Sequence, residues 1–128
     1  MRLNHVTLPA HDYAASIAFY TALGLTQIVA APSRYARFEM AGGATLSIEV
    51  FAPDGLGGGK AGATEIYLHC DDVDAEVAAA RARGVAFDYP PRDEDYLWRC
   101  ARTTDPAGNR IFLYHAGVNQ RFPPWRIA

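Results

Sequence analysis

The chain has 128 residues, half of them hydrophobic and a fifth charged, which predicts one compact globular domain and argues against a disordered chain. Its 12 basic and 14 acidic residues give a formal net charge of −2, which excludes the basic surface expected for binding nucleic acid or an anionic membrane. No stretch approaches the roughly 20 apolar residues of a membrane span, and the start lacks the apolar core of a secretory signal. We therefore expect a cytoplasmic protein whose two cysteines, Cys70 and Cys100, stay reduced and carry no chemistry.

The first half of the chain opens with apolar residues that alternate over Leu3–Leu8, a pattern that predicts a β-strand. Asp12 follows where a residue would cap a helix, and Tyr13, Ile17 and Tyr20 would share one face of that helix. Alternating patterns after the helix predict three more strands, over residues 27–31, 35–40 and 45–51.

The segment PDGLGGGKAG then predicts an exposed connector, with a boundary between residues 57 and 58. It contains the spacing GxGxxG through Gly57, Gly59 and Gly62, but a dinucleotide-binding loop follows a strand and opens a helix, whereas here a strand comes next. Lys60 also lacks the Ser or Thr that follows a P-loop lysine. We interpret these glycines as a linker and predict no phosphate site.

The second half repeats the order of the first. A strand is predicted over Glu65–Cys70, then a helix that Asp72 would cap and that carries Val73, Val77 and Ala80 on one face. Three strands are predicted after it, over residues 86–89, 97–103 and 110–114.

The two halves also align directly, with NHVTLPAHDYAAS matching TEIYLHCDDVDAE at a fixed step along the chain. The alignment places His5 opposite Glu65, and a shift of the last strand places Glu49 opposite Phe112. The chain is thus predicted to be a single α+β domain built from two βαβββ modules, residues 1–57 and 58–116, followed by a tail over residues 117–128.

The segments MRLNHVTLPAHDYAASIAFYTALGL and TTDPAGNRIFLYHAG resemble the vicinal-oxygen-chelate superfamily of glyoxalases, bleomycin resistance proteins and extradiol dioxygenases. The likeness is strongest to bacterial glyoxalase I. The resemblance covers nearly the whole chain and includes the DPxGN turn before the last strand. It implies that the two modules form a half-open barrel-like mixed sheet around a small-molecule site, often completed by a homodimer.

The resemblance also implies a metal site with one ligand on each of the first, fourth, fifth and eighth strands. The matching positions hold His5, Glu49, Glu65 and Phe112. Glutamate at the fifth-strand position and phenylalanine at the eighth both depart from glyoxalase I, which usually has histidine and glutamate there. One imidazole and two carboxylates would suit Mn, Fe, Mg, Zn or Ni, and no organic cofactor is expected.

Each candidate ligand also has a purely structural interpretation. His5 would hydrogen-bond a neighbour, and Glu49 and Glu65 would be solvated or pair with Arg37 and Arg99. Against this, the apolar neighbours in IEV and EIY would make a carboxylate costly to place without a cation or hydrogen-bond donors. The sequence leaves both interpretations open.

Phe112 also lacks the ionisable group that the resemblance implies for a proton-transferring base. This departure argues against authentic glyoxalase I activity and against an extradiol dioxygenase. His69 would share a strand face with Glu65. These two residues are therefore the candidate catalytic groups, with His69 as the proton carrier.

Five aromatic residues on predicted strands would line a substrate cleft or pack in the core: Phe38, Tyr67, Trp98, Phe112 and Tyr114. In the tail, two prolines precede Trp125, so we expect this segment to fold back over the domain or over a partner subunit.

The sequence leaves three functions open. The first is a metal-dependent enzyme of the lyase or isomerase type that acts on a small oxygen-rich substrate. The second is a metal-free protein that sequesters a small molecule such as an antibiotic, which Phe112 favours. The third is a dimeric structural or regulatory domain with an empty cup.

Overall fold

The computed structural model describes residues 1–50 and 64–127. These residues form two βαβββ modules, so the predicted α+β class and module order are confirmed. The first module contains β1 (His5–Ala10), α1 (Tyr13–Leu23), β2 (Thr26–Ala31), β3 (Tyr35–Glu39) and β4 (Thr45–Val50). The second contains β5 (Glu65–His69), α2 (Val73–Ala82), β6 (Tyr89–Asp93), β7 (Arg99–Thr104), β8 (Arg110–His115) and a 3-10 turn (Gly117–Gln120).

Each module has its own four-stranded mixed sheet. The strand orders are β1-β4-β3-β2 and β5-β8-β7-β6. In each sheet the first and last strands of the module run parallel, and the other neighbours are antiparallel. Among the described residues, backbone ladders join strands within a module but not between the modules.

The two helices begin in the predicted way. The Asp12 carboxylate accepts a hydrogen bond from Ala15 N at 3.0 Å, and the Asp72 carboxylate accepts one from Ala75 N at 3.0 Å. Both bonds satisfy backbone donors that a helix start leaves unpaired. Gly24 ends α1 in the left-handed conformation with φ 118, which a glycine adopts without steric cost.

One face of each sheet packs against the helices in a shared core. Because strand side chains alternate between faces, every second strand residue enters this core. The largest fully buried apolar residues are Tyr20, Phe38, Leu46, Ile48, Ile111, Val73 and Val77. The other face of each sheet, called here the open face, carries the predicted site residues apart from Phe38.

Polar contacts hold the two modules together. The Tyr20 hydroxyl donates to the Asp105 carboxylate at 2.6 Å, and Asn109 Nδ2 donates to Pro9 O at 2.9 Å. Arg83 Nε donates to Ala22 O at 2.6 Å. The DPxGN turn therefore contacts the other module, beyond its local role of reversing the chain.

Two strand predictions were misplaced. β1 begins at His5, two residues later than predicted, and β6 covers Tyr89–Asp93 where residues 86–89 were predicted. β6 contains Pro90 and Pro91, which would weaken a central strand because proline has no N–H to donate. β6 is the edge strand of its sheet and pairs with one neighbour only. Its missing N–H donors therefore cost fewer backbone hydrogen bonds than they would in a central strand.

The tail does not place its tryptophan in a pocket of its own chain. The side chains of Phe122 and Trp125 are 56% and 59% exposed, respectively, and Arg126 lies 4.6 Å from the Phe122 ring centroid. The prediction that the tail folds over the domain is therefore wrong for Trp125, while cover by a partner subunit stays a prediction. The predicted connector and the module boundary lie outside the described residues. No helix in the described residues is long and apolar enough to cross a membrane.

Candidate functional site

The predicted ligand His5 is engaged by hydroxyl groups of its own sheet. Its Nδ1 lies 2.6 Å from Thr45 Oγ1 and its Nε2 lies 3.1 Å from Thr7 Oγ1. Both ring nitrogens therefore have hydrogen-bonding neighbours, as the structural interpretation of His5 requires.

The other two predicted ligands lie away from His5. In the parallel β1–β4 pair, His5 is opposite Thr45 and Glu49 is opposite Pro9, so Glu49 is four residues, or about 13 Å, further along the sheet. Glu65 belongs to the other sheet, and its carboxylate lies 3.8 Å from Arg110. A single chain does not bring the three groups together, and their joint use as ligands stays a prediction that would require a second chain.

The eighth-strand position completes this disagreement with a glyoxalase-type metal site. Phe112 is 5% exposed, and its ring stacks on Tyr67 with centroids 4.3 Å apart and planes 8° apart. An aromatic stack thus occupies the place where the resemblance implies a carboxylate ligand. The residues present in one chain do not fit the metal centre of that family.

Four of the five predicted cleft residues do meet. Tyr67 stacks on Phe112 and has edge contacts with Trp98 and Tyr114, both at 5.5 Å between centroids. The Trp98 and Tyr114 rings lie 4.9 Å apart, and Tyr96 contacts Trp98 at 5.6 Å. We call these five residues, Tyr67, Tyr96, Trp98, Phe112 and Tyr114, the aromatic face.

Phe38 is the exception. It is fully buried and packs against Tyr20 at 5.6 Å between ring centroids. The neighbouring positions Arg37 and Glu39 point to the open face, because side chains alternate along β3. Phe38 is therefore a core residue, and its prediction as a cleft residue needs correction.

The tyrosines of the aromatic face are poor bases. Burial raises the pKa of Tyr67 above its ordinary value, and the nearby charge of Glu65 raises it further. Burial is also the main cause that raises the pKa of Tyr96 and of Tyr114. These hydroxyls stay protonated at neutral pH, so they can donate hydrogen bonds but do not replace the missing glutamate as a base.

The predicted proton carrier His69 lies at the end of β5, beside two residues that the sequence analysis missed. Its ring centroid is 5.4 Å from that of His115, and Asp71 completes a group whose potential ligand atoms lie within 4.8 Å of one another. In residues 1–50 and 64–127, this is the only such group of three His, Cys, Asp or Glu side chains. The sequence signal for this group is His115 at the end of β8. Because β5 and β8 are parallel neighbours, their last residues lie side by side, so His115 lies near His69.

A shallow groove of about 680 Å³ adjoins the aromatic face. It runs between the loop after β6 and the segment that follows β8, and Trp98 and His115 both line it. Trp98 therefore contacts the groove on one side and the rings of Tyr67 and Tyr114 on the other.

Residues 2–113 match the sequence profile of the Glyoxalase/Bleomycin resistance protein/Dioxygenase superfamily. The chain belongs to this superfamily. The match covers both modules and confirms the resemblance inferred from the two quoted segments. No curated protein sequence matches the chain.

Several solved structures share the fold over nearly their whole length. A glyoxalase/bleomycin resistance protein/dioxygenase from Nocardioides has a TM-score of 0.76 and 23% identity, covering 100% of this chain and 90% of that one. Lactoylglutathione lyase from Agrobacterium tumefaciens has a TM-score of 0.71 and 21% identity, covering 88% and 92%. TnmS3, an antibiotic binding protein from Streptomyces sp. CB03234, has a TM-score of 0.72 and 26% identity, covering 91% and 97%.

Proposed function

We propose that this superfamily member binds a flat, largely apolar small molecule on its aromatic face and does not transform it. The observation that carries the proposal is the stack of Tyr67 on Phe112 at a strand position where a metal-dependent relative would need a carboxylate. A stacked ring pair offers a surface for a planar ligand but no group for proton transfer.

Exposure of the rings supports ligand binding. Tyr67, Tyr96 and the adjacent Leu97 are 36%, 41% and 47% exposed. Apolar side chains that cluster on a protein surface in this way usually mark a site for a ligand or a partner. The adjoining groove of about 680 Å³ lies within the size range of small-molecule sites, which is about 300–1,000 Å³. A ligand that covered the rings and entered this groove would bury apolar area of its own and of the protein.

A solved relative gives the proposal a precedent. TnmS3 is described as an antibiotic binding protein and shares 26% identity with this chain. We propose the same class of function, small-molecule binding, for this protein. The identity of its ligand would depend on side chains that differ between the two proteins.

The metal-dependent lyase or isomerase is the less favoured candidate. It would need His5, Glu49 and Glu65 to meet across two subunits, with His69 or Glu65 moving a proton. We propose that a homodimer does form, because Leu3, Val118, Trp125 and Ile127 are 84%, 72%, 59% and 89% exposed and would gain from being covered. Sedimentation equilibrium would test it, and a monomer at all concentrations would contradict it.

The test of binding uses Trp98 as the reporter. In a Trp125→Phe background, Trp98 is the single tryptophan, and titration with anilinonaphthalene sulfonate should quench its fluorescence as the dye covers the aromatic face. Tyr67→Ala should weaken the dye by about tenfold, since loss of a stacking contact of about 1.4 kcal/mol corresponds to that factor.

The matched control is Tyr35→Ala, which removes a tyrosine from the open face of the first module and should leave dye affinity unchanged. Circular dichroism would confirm that both variants are folded. Equal dye affinity in the parent and in Tyr67→Ala would overturn the proposed site. Bound metal that disappears in His5→Ala and Glu65→Ala would instead support the enzyme.

A further inference from the structure

We infer that His69, Asp71 and His115 form a binding site for a divalent transition-metal ion, at the shared end of β5 and β8. Their potential ligand atoms all lie within 4.8 Å of one another. The inference does not depend on the proposed function, because it rests on side chains outside the aromatic face.

The parallel pairing of β5 with β8 creates this arrangement. His69 is the last residue of β5 and is opposite Tyr114, and His115 is the next and last residue of β8. Cys70 N donates to Tyr114 O at 2.8 Å, which continues the pairing one residue beyond β5. Asp71 then follows where the chain turns toward α2, so two strand ends and one turn bring the three side chains together.

The backbone fixes which nitrogen of His115 is free. His115 Nδ1 lies 3.0 Å from Cys70 O, and a carbonyl oxygen only accepts hydrogen bonds, so Nδ1 must carry the proton. In the neutral imidazole, Nε2 is then the nitrogen that has a lone pair for a metal. Metal-binding histidines usually have this arrangement, in which the second ring nitrogen donates to a carbonyl or carboxylate.

Contacts with the described residues do not occupy the ligand atoms of His69 and Asp71. Asp72, and not Asp71, caps α2 by accepting from Ala75 N. Within residues 1–50 and 64–127, neither Asp71 nor His69 has a side-chain hydrogen bond or an ion pair. The intervening Cys70 does not join the group, because its thiol donates to Leu68 O at 3.6 Å.

The donor set indicates the class of ion. Two imidazole nitrogens and one carboxylate oxygen suit Zn²⁺, Ni²⁺, Co²⁺, Cu²⁺ or Fe²⁺, whereas Mg²⁺ and Ca²⁺ prefer sites built from oxygen. Three protein ligands on an exposed strand end would leave further positions to water. These residues also differ from His5, Glu49, Glu65 and Phe112, the positions at which the resemblance implies the ligands of glyoxalase I.

The test is a titration of the untagged full-length chain, first dialysed against a chelator, with Zn²⁺ by calorimetry and with Co²⁺ by visible absorption. We expect one ion per chain. His69→Ala and His115→Ala should each weaken binding by at least about tenfold, and Asp71→Asn should weaken it less. The Co²⁺ spectrum should also lose intensity in the same variants.

His5→Ala and His11→Ala are the matched controls, because they remove the other two of the four histidines, and both should bind as the parent does. If His115→Ala fails to fold, His69→Ala decides the result, since His69 is exposed. Failure of the folded parent to bind Zn²⁺ and Co²⁺ would overturn the inference. So would an affinity that falls in His5→Ala but not in His69→Ala.

Discussion

The two sheets have the same strand order, but their open faces differ in side chains. Hydrogen-bonded polar groups dominate the first and aromatic rings the second. On the first sheet the Tyr35 hydroxyl lies 2.6 Å from Ser47 Oγ and accepts from Arg37 Nε at 2.9 Å, and the His5 ring contacts Thr45 at 2.6 Å. The second sheet carries the aromatic face at the corresponding strand positions. Its Tyr67 hydroxyl makes no side-chain hydrogen bond to the described residues.

The difference shows how a duplicated module takes on two roles. Polar groups on the first sheet satisfy one another and gain little from a ligand. The exposed Tyr67 ring on the second sheet has no such partner among the described residues, so another flat surface that covers it would displace water favourably. The common fold positions both faces, and only the side chains on alternate strand residues differ.

The turns before the last strand of each module differ in the same way, and this contrast gives the largest predicted effect. The β3–β4 turn is exposed at Ala41, whereas Asp105 in the β7–β8 turn is 4% exposed. The Asp105 carboxylate accepts hydrogen bonds from Tyr20 at 2.6 Å, Ala107 N at 2.9 Å, Asn109 N at 2.8 Å and Asn109 Nδ2 at 2.8 Å. Asp105→Ala should therefore lower the free energy of unfolding by about 3 kcal/mol or more, because it leaves several buried donors without an acceptor.

Urea unfolding would measure this change. Ala41→Ser, in the corresponding turn of the first module, is the control and should alter stability by less than about 0.5 kcal/mol. Similar midpoints for the two variants would show that the contact between modules does not depend on Asp105.

The last strands of the two open faces give the second comparison. Phe112 is 5% exposed under Tyr67, while Glu49, which the sequence alignment of the two halves sets opposite it, lies half-buried near the end of β4. Phe112→Ala should cost about 2 kcal/mol of unfolding free energy, below the roughly 3–5 kcal/mol of a fully enclosed phenylalanine, because only Tyr67 separates Phe112 from solvent and its ring can settle into the space. Glu49→Ala should change stability by less than about 0.5 kcal/mol.

Thermal unfolding of the two variants, in the presence of a chelator, would test this. A loss of stability in Glu49→Ala as large as that in Phe112→Ala would contradict the assignment, and would mean that Glu49 has a partner outside the described residues of one chain.

Much of the fold could be predicted because its signals are local. Strand alternation, the caps Asp12 and Asp72, and the repeated order of elements all depend on residues close in sequence. β6 was misplaced because its prolines argue against a strand, and only its edge position makes them acceptable. Phe38 was assigned to the wrong face because β3 was recognised as a strand without deciding which of its two alternating sets faces the core.

The site was harder to predict, since it depends on register between distant strands. The repeat sets His5 opposite Glu65, and these residues pair with Thr45 and Arg110 in their own sheets. In that register the counterpart of Glu49 is Tyr114 and that of Phe112 is Ser47, so the alignment of Glu49 with Phe112 was wrong by two residues, which keeps the strand face but changes the position along it. Corresponding positions in two sheets also need not be neighbours in one chain. Asp71 and His115 were missed because their proximity follows from the parallel pairing of β5 with β8, which sequence periodicity alone does not specify.

The helices provide the last and smallest contrast. The first turn of α1 has no acidic residue, whereas that of α2 has Asp74 and Glu76. Asp74 accepts from Arg99 Nε and Nη2, both at 2.8 Å, and Arg99 Nη1 also donates to Asp93 at 3.0 Å. Arg99 thus links α2 to the end of β6. Because these groups are exposed to solvent, Arg99→Ala should lower Tm only slightly, and by less than either earlier substitution.

Salt and pH would show whether this small effect is electrostatic. The Arg99 guanidinium holds the pKa of the Asp74 carboxyl below its usual range by hydrogen bonding, so the pair stabilises the fold above that range and loses its effect as pH falls below about 4. The Tm difference between parent and Arg99→Ala should therefore be largest near neutral pH in dilute buffer, and should shrink in acid and in high salt. Arg2→Ala, which removes an exposed arginine of the first module, should show no such trend. A difference that persisted unchanged in acid would mean that Arg99 stabilises α2 through packing of its aliphatic chain and not through charge.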